Sequence, residues 1–155
     1  MSDALKKLKR LEPLARVRQV QLDQESLILA AIRMEKNIVE VELKRHQEEY
    51  LRGVGMLNEA RNSLDRNCLE PLEKGLDKVK NKWHITLRKL QVVIQKEKAQ
   101  VAQTLLAQKN MKTMEILQEN YFAKDLEIKK MTDTKLMDDL GNKRFLKNSS
   151  HSSRG

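Results

Sequence analysis

Residues 62–71 read Asn62-Ser63-Leu64-Asp65-Arg66-Asn67-Cys68-Leu69-Glu70-Pro71. Asn, Ser and Asp side chains compete with the helix backbone for hydrogen bonds. The closing proline suits the first turn of a helix and is unwelcome deeper inside one. Asn67 and Glu70 have the spacing of a capping box. The stretch therefore predicts a reversal at about residues 60–70, with a new helix from about residue 71.

Outward from that reversal, little else interrupts a helix. The only other proline is Pro13, and the five glycines are Gly53, Gly55, Gly75, Gly141 and Gly155. Gly53 and Gly55 each cost a helix about 1 kcal/mol relative to alanine, so fraying of the first helix is expected near them. Gly141 and Asn142 read as stop signals for the second. The sequence predicts an all-α, elongated antiparallel two-helix coiled-coil hairpin spanning residues 1–147. Its helices are expected at about 5–59 and 71–141, and a serine-rich flexible tail at 148–155.

The first helix fits a strict heptad. With a positions at Leu8, Ala15, Leu22, Leu29, Lys36, Leu43, Tyr50, Leu57 and Leu64, the d positions are Leu11, Arg18, Glu25, Ile32, Val39, His46, Gly53 and Ala60. Twelve of these 17 are apolar, a sustained coiled-coil seam. Its charged members cost stability but fix register. The second helix carries Leu72, Leu76, Val79, Trp83, Leu87, Leu90 and Ile94, then Val101, Leu105, Met111, Met114, Leu117, Tyr121, Ile128, Met131 and Leu136. Followed through its apolar residues, that spacing drifts from sevens, which predicts a locally weakened left-handed supercoil. At about 1.5 Å per residue the helix spans on the order of 100 Å and overhangs the first. Beyond about residue 125 its apolar residues are expected to meet a partner.

Composition agrees with helices packed along narrow seams. Charged residues are 34% of the chain and aromatic residues 3%, too few large apolar groups for a globule of this length. The net charge is +9, with 13 Lys/Arg against 11 Asp/Glu in residues 1–66 and 18 against 11 in residues 67–155. That excess favours an acidic protein surface, a nucleic acid or an anionic membrane as neighbour, and it also fits a solvated helix face. A lone cysteine, Cys68, permits no intramolecular disulfide and suits a reducing compartment. No apolar run approaches the roughly 18–20 residues of a membrane span. The expected location is the cytoplasm.

No catalytic, cofactor or metal constellation is legible. His46, His84 and His151 are scattered, without metal-ligand spacing. No glycine-rich phosphate loop occurs. A nucleophilic role for Cys68 needs a base held in a pocket, which a two-helix hairpin lacks. Asp138 and Asp139 are neighbours on a helix and point about 100° apart. Trp83 reads as a packing residue.

The order of elements resembles a family. Leu8, Leu11, Leu14 and Val17 open a long first helix, a polar reversal follows, and Leu72-Glu73-Lys74-Gly75-Leu76 opens a longer second one. Lys135-Leu136-Met137-Asp138-Asp139-Leu140 comes near the end, then Lys143-Arg144-Phe145. Residues 5–147 resemble FliJ, the small coiled-coil component of the flagellar type III export ATPase complex, related to YscO-type injectisome proteins. The resemblance implies a non-enzymatic stalk, without cofactors, that inserts into the export ATPase hexamer and promotes its assembly. It implies contact with the export-gate cytoplasmic domain, escort of export chaperones, and a place at the cytoplasmic face of the inner membrane without insertion. Carried onto this chain, the ATPase-ring contact falls on Arg10, Leu11, Leu14, Arg16, Arg18, Lys135, Leu136, Met137, Asp138, Asp139, Leu140 and Arg144. The export-gate contact falls on Cys68, Leu72 and Leu76. Nucleic acid is not an expected partner. The competing readings are a generic coiled-coil scaffold and a basic nucleic-acid-binding coiled coil, the latter recognisable by steep salt dependence.

Overall fold

A computed structural model describes residues 3–63 and 66–152, with the side chains of residue 66 and residues 148–152 excepted. The fold is an all-α hairpin. Helix α1 runs Asp3–Asn62, a single 3-10 turn covers Arg66–Cys68, and helix α2 runs Leu69–Ser152. The second helix has 84 residues against 60 in the first. The reversal lies where the polar run predicted it, although Leu64 and Asp65 fall outside the described residues. Ser63 closes α1: its N–H donates to the Glu59 carbonyl at 2.8 Å and its hydroxyl to the Ala60 carbonyl at 3.3 Å. Pro71 sits in the first turn of α2, where its missing N–H has no helical acceptor to satisfy.

Three boundary expectations are corrected. Helix α1 does not fray at Gly53 and Gly55 but continues to Asn62. Helix α2 passes through Gly141 and Asn142 and into the serine-rich stretch as far as Ser152; residues 153–155 lie outside the described set. A glycine stops a helix by adopting a left-handed conformation, and none of Gly53, Gly55, Gly75 and Gly141 has positive φ. Pro13 lies inside α1 without ending it. It removes one N–H donor of the ladder, a local cost that the long helix on either side absorbs.

Contacts gather the chain into two units. One runs from the start of α1 to Leu22 together with α2 from Ala107 onward. The other runs from Asp23 to Leu106 and includes the turn. In the turn-containing unit the helices are antiparallel: Arg61 lies 3.6 Å from Glu73 near the turn, Tyr50 packs on Trp83 at a 5.5 Å ring separation, and Glu25 meets Gln100. In the other unit the Lys7 ammonium lies 5.5 Å from the centre of the Tyr121 ring.

The seam is stricter than its apolar residues suggest. Every a and d position of α1 from Leu8 to Ala60 is buried or half-buried, Arg18, Glu25, Lys36, His46 and Gly53 included. In α2 an unbroken line of buried or half-buried positions steps by three and four from Leu69 to Asp125, with half-buried Ile94, Val101 and Asn110 beside it. The predicted drift from sevens is therefore corrected. Thr86, Glu97, Gln100, Thr104, Gln118 and Asp125 occupy seam positions, while Leu87, Leu105 and Leu117 lie exposed beside it. Tracking only apolar residues steps off the stripe wherever a polar residue holds it.

Several polar groups of the seam are bonded, whereas the buried His46 Nδ1 and Trp83 Nε1 have no hydrogen-bond partner among the described residues. The Thr86 and Thr104 hydroxyls each donate at 2.9 Å to the carbonyl four residues back, an internal satisfaction open to threonine in a helix. The Gln100 amide donates to the Glu25 backbone carbonyl at 3.2 Å and to the Glu25 carboxylate. The Thr104 hydroxyl also reaches that carbonyl at 3.4 Å. Lys36 and Glu97 form an ion pair at 3.2 Å, a charge contact without directed hydrogen-bond geometry. Gly53 answers a steric need. A Cβ there would lie 2.7 Å from Leu76 Cδ1, so the missing side chain lets Leu76 close onto the α1 backbone.

Candidate functional site: the turn, the start of α1 and the unpaired end of α2

The three residues assigned to the gate contact do not share one surface. Cys68 is exposed at the turn, whereas Leu72 and Leu76 are half-buried seam residues of α2. Their burial follows from their step along the heptad. A partner at this end meets Cys68 and its exposed neighbours first.

The residues assigned to the ring contact divide into two groups. Arg10, Leu14 and Arg16 are exposed on the paired part of α1, and Arg16 forms an ion pair with Glu12 at 2.8 Å. Leu11 and Arg18 lie half-buried in the seam, with the Arg18 guanidinium donating to Gln21 at 3.4 Å. The second group, Lys135, Leu136, Met137, Asp138, Asp139, Leu140 and Arg144, is exposed throughout. Lys135 lies fourteen residues beyond Tyr121, the residue that meets Lys7, roughly 20 Å of helix rise. The two groups are therefore not brought together into one patch.

Asp125, 3% exposed, is the last buried residue of α2; from Leu126 to Lys147 every side chain is exposed. The expected overhang is present, and its cause is the length difference between the helices. Continuing the same three-and-four step past Asp125 meets Ile128, Thr132, Lys135, Asp139, Asn142 and Leu146. Between Ile128 and Leu146 that line is polar. Leu136, Met137 and Leu140 lie off it and group within about one turn, as i,i+3 and i,i+4 neighbours do.

Two further surfaces lie outside the sequence expectations. An open groove of about 390 Å³ in the turn-containing unit has Val39, Ile85, Val92 and Val93 as its apolar wall, with Arg88, Lys89 and Lys96 against Glu35 around it. The second is a stripe on the back of α1, at heptad positions opposite the seam: Leu27, Ala31, Met34, Ile38 and Val41. The signal for it was available as a second three-and-four spacing, hidden behind the stronger a/d pattern. Among the described residues, no three His, Cys, Asp or Glu side chains come together as a metal site, and no helix is long and apolar enough to cross a membrane.

No family model matches the chain, and neither do any of the curated proteins or solved structures.

Proposed function

We propose that this chain is a non-enzymatic hairpin of the type III protein export apparatus, of the FliJ kind, whose unpaired α2 end enters the export ATPase ring. The observation that carries this reading is the exposed stretch of α2 from Leu126 to Phe145, with Leu136, Met137 and Leu140 clustered and Lys135, Lys143 and Arg144 around them. A helix that presents apolar side chains without a partner in its own chain is suited to one in another chain. The basic residues on either side steer encounter with an acidic ring lining more than they set final affinity. Contact with the export gate at the turn, chaperone escort and attachment at the cytoplasmic face of the inner membrane belong to the same proposal. They rest on the resemblance of residues 5–147 to that family.

The test is stimulation of ATP hydrolysis by the export ATPase of the same organism. Replacing Leu136 and Leu140 by Glu changes side chains that bury nothing against α1, so helicity and melting stay as in the wild type. The expected result is loss of stimulation by at least about tenfold, the order reached when a charge is forced into an apolar contact. Unchanged stimulation by this double variant removes the ring contact from the reading.

A further inference from the structure

The back of α1 between Gln24 and Val41 repeats the geometry of the seam. Gln24, Leu27, Ala31, Met34, Ile38 and Val41 step by three and four along the face opposite the a and d positions, and five of the six are apolar. None is covered: Leu27 is 71% exposed, Met34 68%, Ile38 68% and Val41 70%. Beside them Ile28 is 46% exposed. Together these side chains expose on the order of several hundred Å² of apolar surface, the size at which a patch on a soluble protein marks an interaction site. A helix with heptads on two opposite faces is shaped to hold one helix on each.

We propose that this stripe is the interface of an antiparallel homodimer, in which the back of α1 packs against the same face of a second copy. The stripe is self-complementary about a two-fold axis, the property an isologous interface requires. In the register centred between Ala31 and Met34, Ala31 meets Met34 of the other copy, Leu27 meets Ile38, and Gln24 meets Val41. The central layer sets a small side chain against a long flexible one. The flanking positions agree in charge: Asp23 of one copy faces Lys44 of the other at both ends, and Ala30 faces Asn37. No like charges oppose each other in this register. From Gln24 to Val41, outside the seam, the helix carries Arg33 against Glu35 and Glu40. The pairing face thus avoids the positive excess that sets the whole chain at +9.

The experiment is sedimentation equilibrium of the full chain over about a hundredfold range of concentration, because mass action sets the dimer fraction. The wild type is expected to rise from 18.1 kDa towards twice that mass. Leu27→Glu with Met34→Glu is expected to hold the chain at the monomer mass, weakening association by ~100-fold or more through charge forced into an apolar contact. Circular dichroism serves as the control, and it stays unchanged because neither side chain packs within the hairpin. Lys44→Asp alone weakens the dimer several-fold, and adding Asp23→Lys restores it, since only the antiparallel register brings those positions together. A wild type that stays monomeric throughout overturns the proposal; a stripe that serves another protein gives this result. A dimer indifferent to the Glu substitutions overturns it as well. Failure of the charge exchange to restore association overturns the antiparallel pairing.

Discussion

At Gly53 one missing methyl decides how closely two helices approach. Replacing this glycine by alanine in a free helix gains about 1 kcal/mol. Here the added Cβ meets only the tip of the Leu76 side chain, Cδ1 at 2.7 Å, with Cγ at an ordinary 4.0 Å, so a flexible, half-buried side chain has to turn aside. That shift offsets part of the propensity gain. Gly53→Ala is therefore expected to fall short of the ~1 kcal/mol gain of a free helix, and Leu76→Ala to lower the melting temperature by loss of burial. The double variant is expected to be less destabilised than the sum of the two, because the truncated side chain no longer collides. A double-mutant cycle by denaturant unfolding reads that coupling at about 1 kcal/mol; simple additivity contradicts the steric account. The fraying expected from Gly53 in the sequence rested on propensity alone. Propensity is outweighed where a neighbouring helix uses the space the glycine leaves.

On the scale of the helices, periodicity carried most of the information. The a and d positions of α1 were legible from Leu8 to Ala60, including the polar ones, because the pattern was imposed at a fixed step. In α2 the step was inferred from the apolar residues, and Leu87, Leu105 and Leu117 drew it off the line held by Thr86, Thr104 and Gln118. Threonine is hard to recognise as a seam residue because its compatibility comes from a bond to its own backbone, which no spacing reveals. The overhang was legible as a difference in length, whereas the separation of the two ring-contact groups was not. That separation depends on which residue of α2 lies opposite the start of α1. The unpaired end gives a prediction of its own. Deleting residues 131–155 keeps Lys129 on the buried Asp125 carboxylate, 3.2 Å away, and removes helix that buries no described side chain against α1, so far-ultraviolet ellipticity falls roughly in proportion to length. The melting temperature of the remaining hairpin is expected to move by no more than about 3 °C, within what a change below 1 kcal/mol produces in a chain of this size. A larger drop assigns the end a stabilising role inside the hairpin.

For the molecule as a whole, net charge and local charge act in opposite senses. Two chains of +9 repel, and added salt screens that repulsion with a decay length near 8–10 Å at physiological strength. The Asp23–Lys44 pairs proposed at the dimer rim are exposed, and such pairs are worth about 0–1 kcal/mol each. Repulsion between whole chains outweighs them. Self-association is therefore expected to tighten as ionic strength rises from about 50 to 300 mM, within the range where screening of surface charge changes most. Binding to nucleic acid has the opposite slope, because salt competes with counterion release. Sedimentation at three salt concentrations separates the two: a dimer that dissociates with added salt places ion pairs, not the apolar stripe, at the interface.

The contact of Gln100 and Thr104 with the Glu25 carbonyl has a mechanical consequence. Apolar knobs alone tolerate a slide of seven residues, since one leucine replaces another. A backbone oxygen that accepts a hydrogen bond from a side chain of the opposite helix, as the Glu25 carbonyl does from Gln100, does not. Sliding α2 by one heptad along Asp23–Leu106 takes that donor off the carbonyl and parts Lys36 from Glu97. Tension applied along one helix of this region therefore has to break the Gln100 hydrogen bond and the Lys36–Glu97 pair before the other can slip.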